Sequence, residues 1–269
     1  MIVQASSEFE VTISESAKAY QDINELLNDG AITNTVTLTA FVSCYNERNY
    51  IIQTLDDICD ALKVAVPNFE IIVIDDCSKD DSASLIQKYI ADHPTINIIL
   101  RRNLVNRGLA QNFIEGAFLG RGEYYKLFCG DNTEPPASII AICTMAGQAD
   151  IIIPNYSNVE GKHGFRLWLS NTYTTLVNFV SGNKIQYYNG LHLHKRHNIM
   201  RWHPNTRGFG FQADIICMLL QQGVTYLEVS VPAVNHTASR ALTWKNILSV
   251  GHTLLDILIR RMAKAVYGL

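Results

Sequence analysis

Residues 123–136 read E-Y-Y-K-L-F-C-G-D-N-T-E-P-P, from Glu123 to Pro136. Tyr124, Tyr125, Lys126, Leu127 and Phe128 suit a strand, and they run into an acidic turn, Gly130-Asp131-Asn132-Thr133-Glu134, closed by two prolines. Open α/β sheets bind ligands outside the C-terminal ends of their strands, and a carboxylate there is a hard oxygen ligand suited to Mg²⁺ or Mn²⁺. Asp131 is therefore the expected anchor for a metal and a diphosphate. The competing reading is a polar turn whose Asp and Asn bond their own backbone.

The neighbouring segments decide between these. Val36–Ser43, Phe69–Ile74 and Ile96–Leu100 are short apolar, β-branched runs that predict buried strands. Between them, apolar residues recur at helical spacing over Tyr50–Val64, Ala83–Ala91 and Leu109–Leu119. Four strands joined by three helices in this way predict a mostly parallel sheet with right-handed crossovers. Every loop on its C-terminal rim is polar: Cys44-Tyr45-Asn46-Glu47, Asp75-Asp76-Cys77-Ser78, Asn106-Arg107-Gly108 and the Asp131 turn. Four such loops on one rim favour a site over ordinary loop polarity.

Further along, helices are expected over Ser138–Ala146, Phe165–Val180 and from Gly208 to about Gln222. Strands are expected over Asp150–Pro154 and Val224–Val231, with a strand and turn in Ile185–His194. Ala19, Ile23, Leu26 and Leu27 have helical spacing, so residues 1–35 read as an N-terminal helical extension. Residues 36–243 form one α/β domain in this reading. Residues 244–269 form a C-terminal helix with Lys245, Arg260, Arg261 and Lys264 among apolar residues. Such a basic amphipathic helix fits a bilayer interface, packing back on the sheet, or a homodimer contact.

Composition bounds the function. The chain has 269 residues, 48% hydrophobic and 17% charged, enough for a sizeable core. A net charge of −3 without a long basic patch argues against nucleic acid as a partner. Six cysteines without a C-x-x-C pair argue against zinc or a disulfide framework and for free thiols in the cytoplasm. Met1–Glu10 has no basic region leading into an apolar core, so no signal peptide is expected. No run is long and apolar enough to predict a membrane span.

Five blocks resemble family 2 glycosyltransferases of the GT-A (Rossmann-like) fold, and within them the polyprenyl-phosphate and dolichol-phosphate mannose and glucose synthases. They are F-V-S-C-Y-N-E, V-I-D-D-C-S-K-D-D-S, N-R-G-L-A-Q-N-F-I-E-G, G-D-N-T-E-P-P, and G-F-G-F-Q-A-D-I with G-V-T-Y-L-E-V. Their order and spacing carry the resemblance over residues 36 to 243. It implies an inverting hexosyltransferase that uses a GDP- or UDP-sugar, Mg²⁺ or Mn²⁺, and a lipid-phosphate acceptor. It places Tyr45, Asn46 and Glu47 at the nucleotide, Asp75 and Asp76 near base and ribose, and Asn106, Arg107 and Gly108 along the sugar-nucleotide. Asp131 would hold the metal, helped by Glu134 or His236. Asn189, His236, Ser239 and Arg240 would face the acceptor.

The chain departs from the family at Cys129-Gly130-Asp131, where Asp-x-Asp is usual, and the cationic segment for an acceptor phosphate is only partly reproduced, by Arg240 with Lys245 as a further candidate. A sugar or other hydroxyl acceptor is the alternative, with Asp214 as base; a further alternative is a nucleotide-sugar binding protein without turnover. A lipid acceptor would put the protein at the cytoplasmic membrane face as a peripheral protein.

Overall fold

The computed structural model describes residues 2–6, 9–13, 36–156, 164–203, 210–232 and 244–268. The strands are β1 (Ile2–Ser6), β2 (Phe9–Ile13), β3 (Leu38–Cys44), β4 (Phe69–Asp75), β5 (Ile98–Arg102), β6 (Tyr124–Cys129), β7 (Ile151–Tyr156), β8 (Leu193–Lys195) and β9 (Tyr226–Val231). The helices are α1 (Ile51–Ala65), α2 (Ser82–Asp92), α3 (Leu109–Leu119), α4 (Pro136–Cys143), α5 (Gly164–Ser181), α6 (Arg196–Met200), α7 (Phe211–Gln221) and α8 (Trp244–Tyr267).

Among the described residues, nine strands join one sheet in the order β1-β2-β9-β7-β8-β6-β3-β4-β5. β6, β3, β4 and β5 are mutually parallel, as are β7 and β9. Both faces of the parallel strands are covered, so β3 and β4 read as continuous apolar runs. Their side chains still alternate in destination. Ala40, Val42, Ile71 and Val73 enter the core that includes Ile51, Leu55, Ile58 and Ile142, whereas Phe41, Ile72 and Ile74 join Phe113, Ile114, Ile215 and Trp202 on the other face.

Register sets the site. Cys44 lies opposite Asp75, Ser43 opposite Cys129, and Asp75 opposite Arg102, so the loops after β3, β4, β5 and β6 leave from one rim.

Three features differ from the sequence reading. Residues 1–35 were expected to be a helical extension, yet β1 and β2 form a hairpin that extends the sheet at β9. Phe9-Glu10-Val11-Thr12-Ile13 alternates apolar and polar, the period of a half-buried strand, over too few residues to stand out. The helically spaced Ala19–Leu27 positions lie outside the described residues. Second, β8 is three residues long and antiparallel to both β6 and β7, inserted between them. Third, where the sequence left the placement of α8 open, Arg260, Arg261 and Lys264 bond back onto the neighbouring helices. Arg261 donates to the carbonyls of Phe179 and Val180 at the end of α5, Lys264 donates to that of Gln221 at the end of α7, and Arg260 pairs with Asp214. Cations at helix C-termini satisfy orphan carbonyls and complement the dipole. Leu248, Leu255, Ile259, Met262 and Val266 of α8 are left exposed.

Candidate active site

The turn after β3 is stitched to the turn after β4. The Asn46 backbone N–H donates to Ser78 Oγ (2.9 Å), and Asn46 Oδ1 accepts the Lys79 N–H (2.8 Å). The Glu47 N–H donates to Ser82 Oγ (2.9 Å) and that of Arg48 to Asp80 Oδ2 (3.2 Å). Asn46 at φ 59 and Cys77 at φ 67 both occupy the left-handed region, which Asn tolerates better than most residues. The two loops thus form one ledge, with Tyr45 and Asn46 exposed on it.

The adjacent aspartates have opposite duties. Asp75 ends β4 and is fully buried, and among the described residues neither of its oxygens accepts a hydrogen bond. Arg102 Nε stands 3.6 Å away. A buried carboxylate short of donors is the chemistry a nucleobase N–H or ribose hydroxyl would satisfy. Cys44, opposite it, has its thiol pushed up to about 12 by burial and by the charge of Asp75.

Asp76 turns into the protein instead. Its Oδ1 accepts from the Arg107 N–H (2.8 Å) and Asn103 Nδ2 (2.8 Å), and its Oδ2 from the Gly108 N–H (2.9 Å). Burial pushes this carboxyl up, but the hydrogen bonds from Arg107, Asn103 and Gly108 outweigh it and leave it below the usual carboxylate range. Asn106 Nδ2 donates to the Asp76 carbonyl (3.2 Å). Gly108 at φ 85 caps α3 in a backbone conformation that a side chain would strain. The sequence placed Asp76, with Asp75, near base and ribose; in the structure its carboxylate is occupied in shaping Asn106-Arg107-Gly108. The Arg107 guanidinium pairs with Glu115, which also meets Arg101 at 3.1 Å.

The Asp131 loop is pinned at its start. The Gly130 N–H donates to the Ser43 carbonyl (2.9 Å), and Thr54 Oγ1 donates to the Gly130 carbonyl (3.0 Å). A Cβ at residue 130 would stand 2.8 Å from the Ser43 carbonyl oxygen and 3.2 Å from Glu47 Cγ, so only glycine lets the two loops touch. Thr133 Oγ1 donates to Asp131 Oδ1 (3.0 Å), and Asn132 sits at φ 53. Glu47 faces this loop. Burial, then the charges of Asp131 and Asp80, push its carboxyl up to about 7.

Among the described residues no group of three His, Cys, Asp or Glu side chains is gathered for a metal. Carboxylates repelling each other at Asp131 and Glu47 nonetheless suit a divalent cation that keeps several waters and takes its other ligands from phosphate oxygens. Glu134, expected to assist, is excluded: Lys126 Nζ holds its two oxygens at 2.8 and 3.0 Å in the core. This pair escaped the sequence reading, although a lysine at the centre of a buried strand must find a counter-charge. Cys129, at the position of the first Asp, is a thiol that burial and then the charge of Asp131 push up to about 12.

Asn189 is exposed, in the segment leading to β8. Asp214 is buried in the first turn of α7, where it accepts from Trp202 Nε1 (2.7 Å) and pairs with Arg260. His236, Ser239 and Arg240 lie outside the described residues.

The model of the family described as "Glycosyl transferase family 2" matches residues 39–206, more than half of the chain. The chain belongs to glycosyltransferase family 2. This family 2 chain is 32% identical over 123 residues to a dolichyl-phosphate beta-glucosyltransferase of Dictyostelium discoideum, covering 41% of the chain and 38% of that relative. It is 26% identical over 143 residues to an undecaprenyl-phosphate 4-deoxy-4-formamido-L-arabinose transferase of Pseudomonas syringae, covering 52% and 42%. It thus spans less than half the length of these curated relatives.

Among solved structures it resembles glucosyl-3-phosphoglycerate synthase of Mycobacterium tuberculosis, in complex with Mn²⁺, UDP and phosphoglyceric acid (TM-score 0.62, 14% identity, 92% of this chain and 80% of that one). A mannosyltransferase of Pyrobaculum calidifontis in complex with GDP-Man and Mn²⁺ aligns with TM-score 0.53, 16% identity and coverage of 93% and 72%. At such identities these two speak to the GT-A fold.

Proposed function

We propose that this family 2 protein transfers a hexose, with inversion, from a GDP- or UDP-sugar to a polyprenyl phosphate or related lipid, and that it requires Mg²⁺ or Mn²⁺. One observation carries the reading: Glu47, the donor-starved Asp75, the Asn106-Arg107-Gly108 turn and Asp131 all stand on loops of one sheet rim. A divalent cation at Asp131 would neutralise the diphosphate as it leaves. Tyr45 and Asn46 form the ledge on which the nucleotide lies, and Asp75 accepts hydrogen bonds from its base or ribose. Gly108 lets the backbone approach the sugar-nucleotide, and Arg107, turned from Glu115, meets phosphate. Asn189, His236, Ser239 and Arg240 are our candidates for contact with the acceptor.

A lipid phosphate is already an anion and attacks the anomeric carbon without a general base, opposite the departing diphosphate. That suits Asp214, whose oxygens are held by Trp202 and Arg260. A hydroxyl acceptor would need one of them released. Two relatives carry dolichyl phosphate and undecaprenyl phosphate in their names, which supports the lipid choice. Among the described residues no helix is long and apolar enough to cross a membrane. The outward apolar face of α8 is the surface we assign to the bilayer.

The test is a thermal-shift panel of UDP-, GDP-, CDP- and dTDP-sugars with Mn²⁺, followed by transfer of labelled sugar to polyprenyl phosphate. Stabilisation by one nucleotide class and a labelled lipid product are expected. Stabilisation by none of them would overturn the donor assignment, and transfer to free sugar alone would overturn the acceptor.

A further inference from the structure

We propose that Lys126 is a positioning residue for the Asp131 loop, an inference that rests on the functional reading above. Lys126 lies at the centre of β6 and is fully buried. Its Nζ donates to Glu134 Oε2 (2.8 Å) and Oε1 (3.0 Å) and to the Leu191 carbonyl (2.9 Å), lies 3.4 Å from the Leu127 carbonyl, and sits 4.4 Å from the centre of the Phe128 ring. Glu134 ends the loop whose start is fixed by Ser43 and Thr54. Leu191 follows Asn189 and Gly190. One ammonium therefore clamps the far end of the metal loop and the acceptor-side segment to the same point of the sheet.

Stability alone does not account for such a pair. Removing two charges from water is costly, and an apolar pair of similar size holds a core as well or better. What an ammonium with fixed donors adds is direction: it sets where the Glu134 end of the loop lies, and hence where Asp131 points. Residues behind metal ligands act in this way, and losing one weakens metal binding by about 10-fold to 100-fold. The surroundings keep the clamp dry. His192 and His194 are buried, and burial drives both below their ordinary range.

The experiment compares the wild type with Lys126→Met/Glu134→Leu, which removes both charges together and leaves no unpaired ion. Thermal melting reports the fold, hydrogen exchange reports residues 130–134, and calorimetry reports Mn²⁺ affinity in the presence of the nucleotide that the wild type binds. The double variant is expected to melt near the wild type, to lose exchange protection in the loop, and to bind Mn²⁺ about 10-fold or more weakly. Unchanged protection and unchanged affinity would overturn the proposal. If the double variant does not fold, Glu134→Asp shortens the tether and keeps the charge; wild-type protection in that variant would also overturn it. Should the wild type bind no nucleotide, the functional reading fails, and loop protection alone decides whether Lys126 holds the loop.

Discussion

The carboxylate of Asp76 accepts the backbone N–H of Gly108 at 2.9 Å, 32 residues along the chain, and so fixes the turn that starts α3 from a different strand. With the Arg107 N–H on its other oxygen, Asp76 holds the two residues that lead into the helix. Asp76→Asn keeps the shape but has one oxygen for two N–H groups. It is expected to lower stability by about 1–2 kcal/mol in urea unfolding and to weaken nucleotide binding through the displaced turn. Weakened binding with undiminished stability would show that Asp76 touches the ligand directly.

Asp131 tests the centre of the site. Its side chain is tied within its own loop, to Thr133, so Asp131→Asn is expected to melt close to the wild type. Transfer should fall by about 100-fold or more, because the stabilisation a metal gives a departing diphosphate is worth several kcal/mol. Full activity in that variant would remove Asp131 from the mechanism.

His194 gives a pH dependence of stability. Burial, helped by the charge of Lys126, holds it down to about 3 from an ordinary 6.5. An unfolded chain takes up this proton near 6.5 and the folded chain does not. The contribution is therefore complete above 6.5 and is lost as pH falls towards 3. Urea midpoints measured from pH 7 to pH 4 should fall, and should fall less steeply in His194→Gln.

The outer face of α8 predicts lipid binding. Leu255→Ser, Ile259→Ser and Met262→Ser, made together, should reduce sedimentation with phospholipid vesicles by about tenfold or more while leaving nucleotide binding intact. Undiminished sedimentation would place the membrane contact elsewhere.

Much of this molecule was legible in its sequence, for physical reasons. β3, β4 and β6 are buried on both faces, so they are written in Ile, Val, Phe and Tyr, and each ends in a polar loop that names the rim. Hidden features fall where local pattern carries little. Three-residue β8 and five-residue β2 are too short for periodicity, and they exist because of their neighbours in the sheet. Asp75 and Asp76 look equivalent in a string of letters. The end of β4 separates them, leaving one without donors and the other saturated. Lys126 and Glu134 lie eight residues apart with nothing local to pair them, and only the strand and the loop bring them together in the core.

Arg260, Arg261 and Lys264 give the last helix a meaning for anyone trimming this protein. Cutting the chain after Ile259 would remove far more than a tail, since three exposed-looking basic residues close off Asp214 and the carbonyl ends of α5 and α7. A shortened version would carry an unmatched buried carboxylate and two frayed helix ends, and its failure in an assay would report misfolding, whatever the lipid.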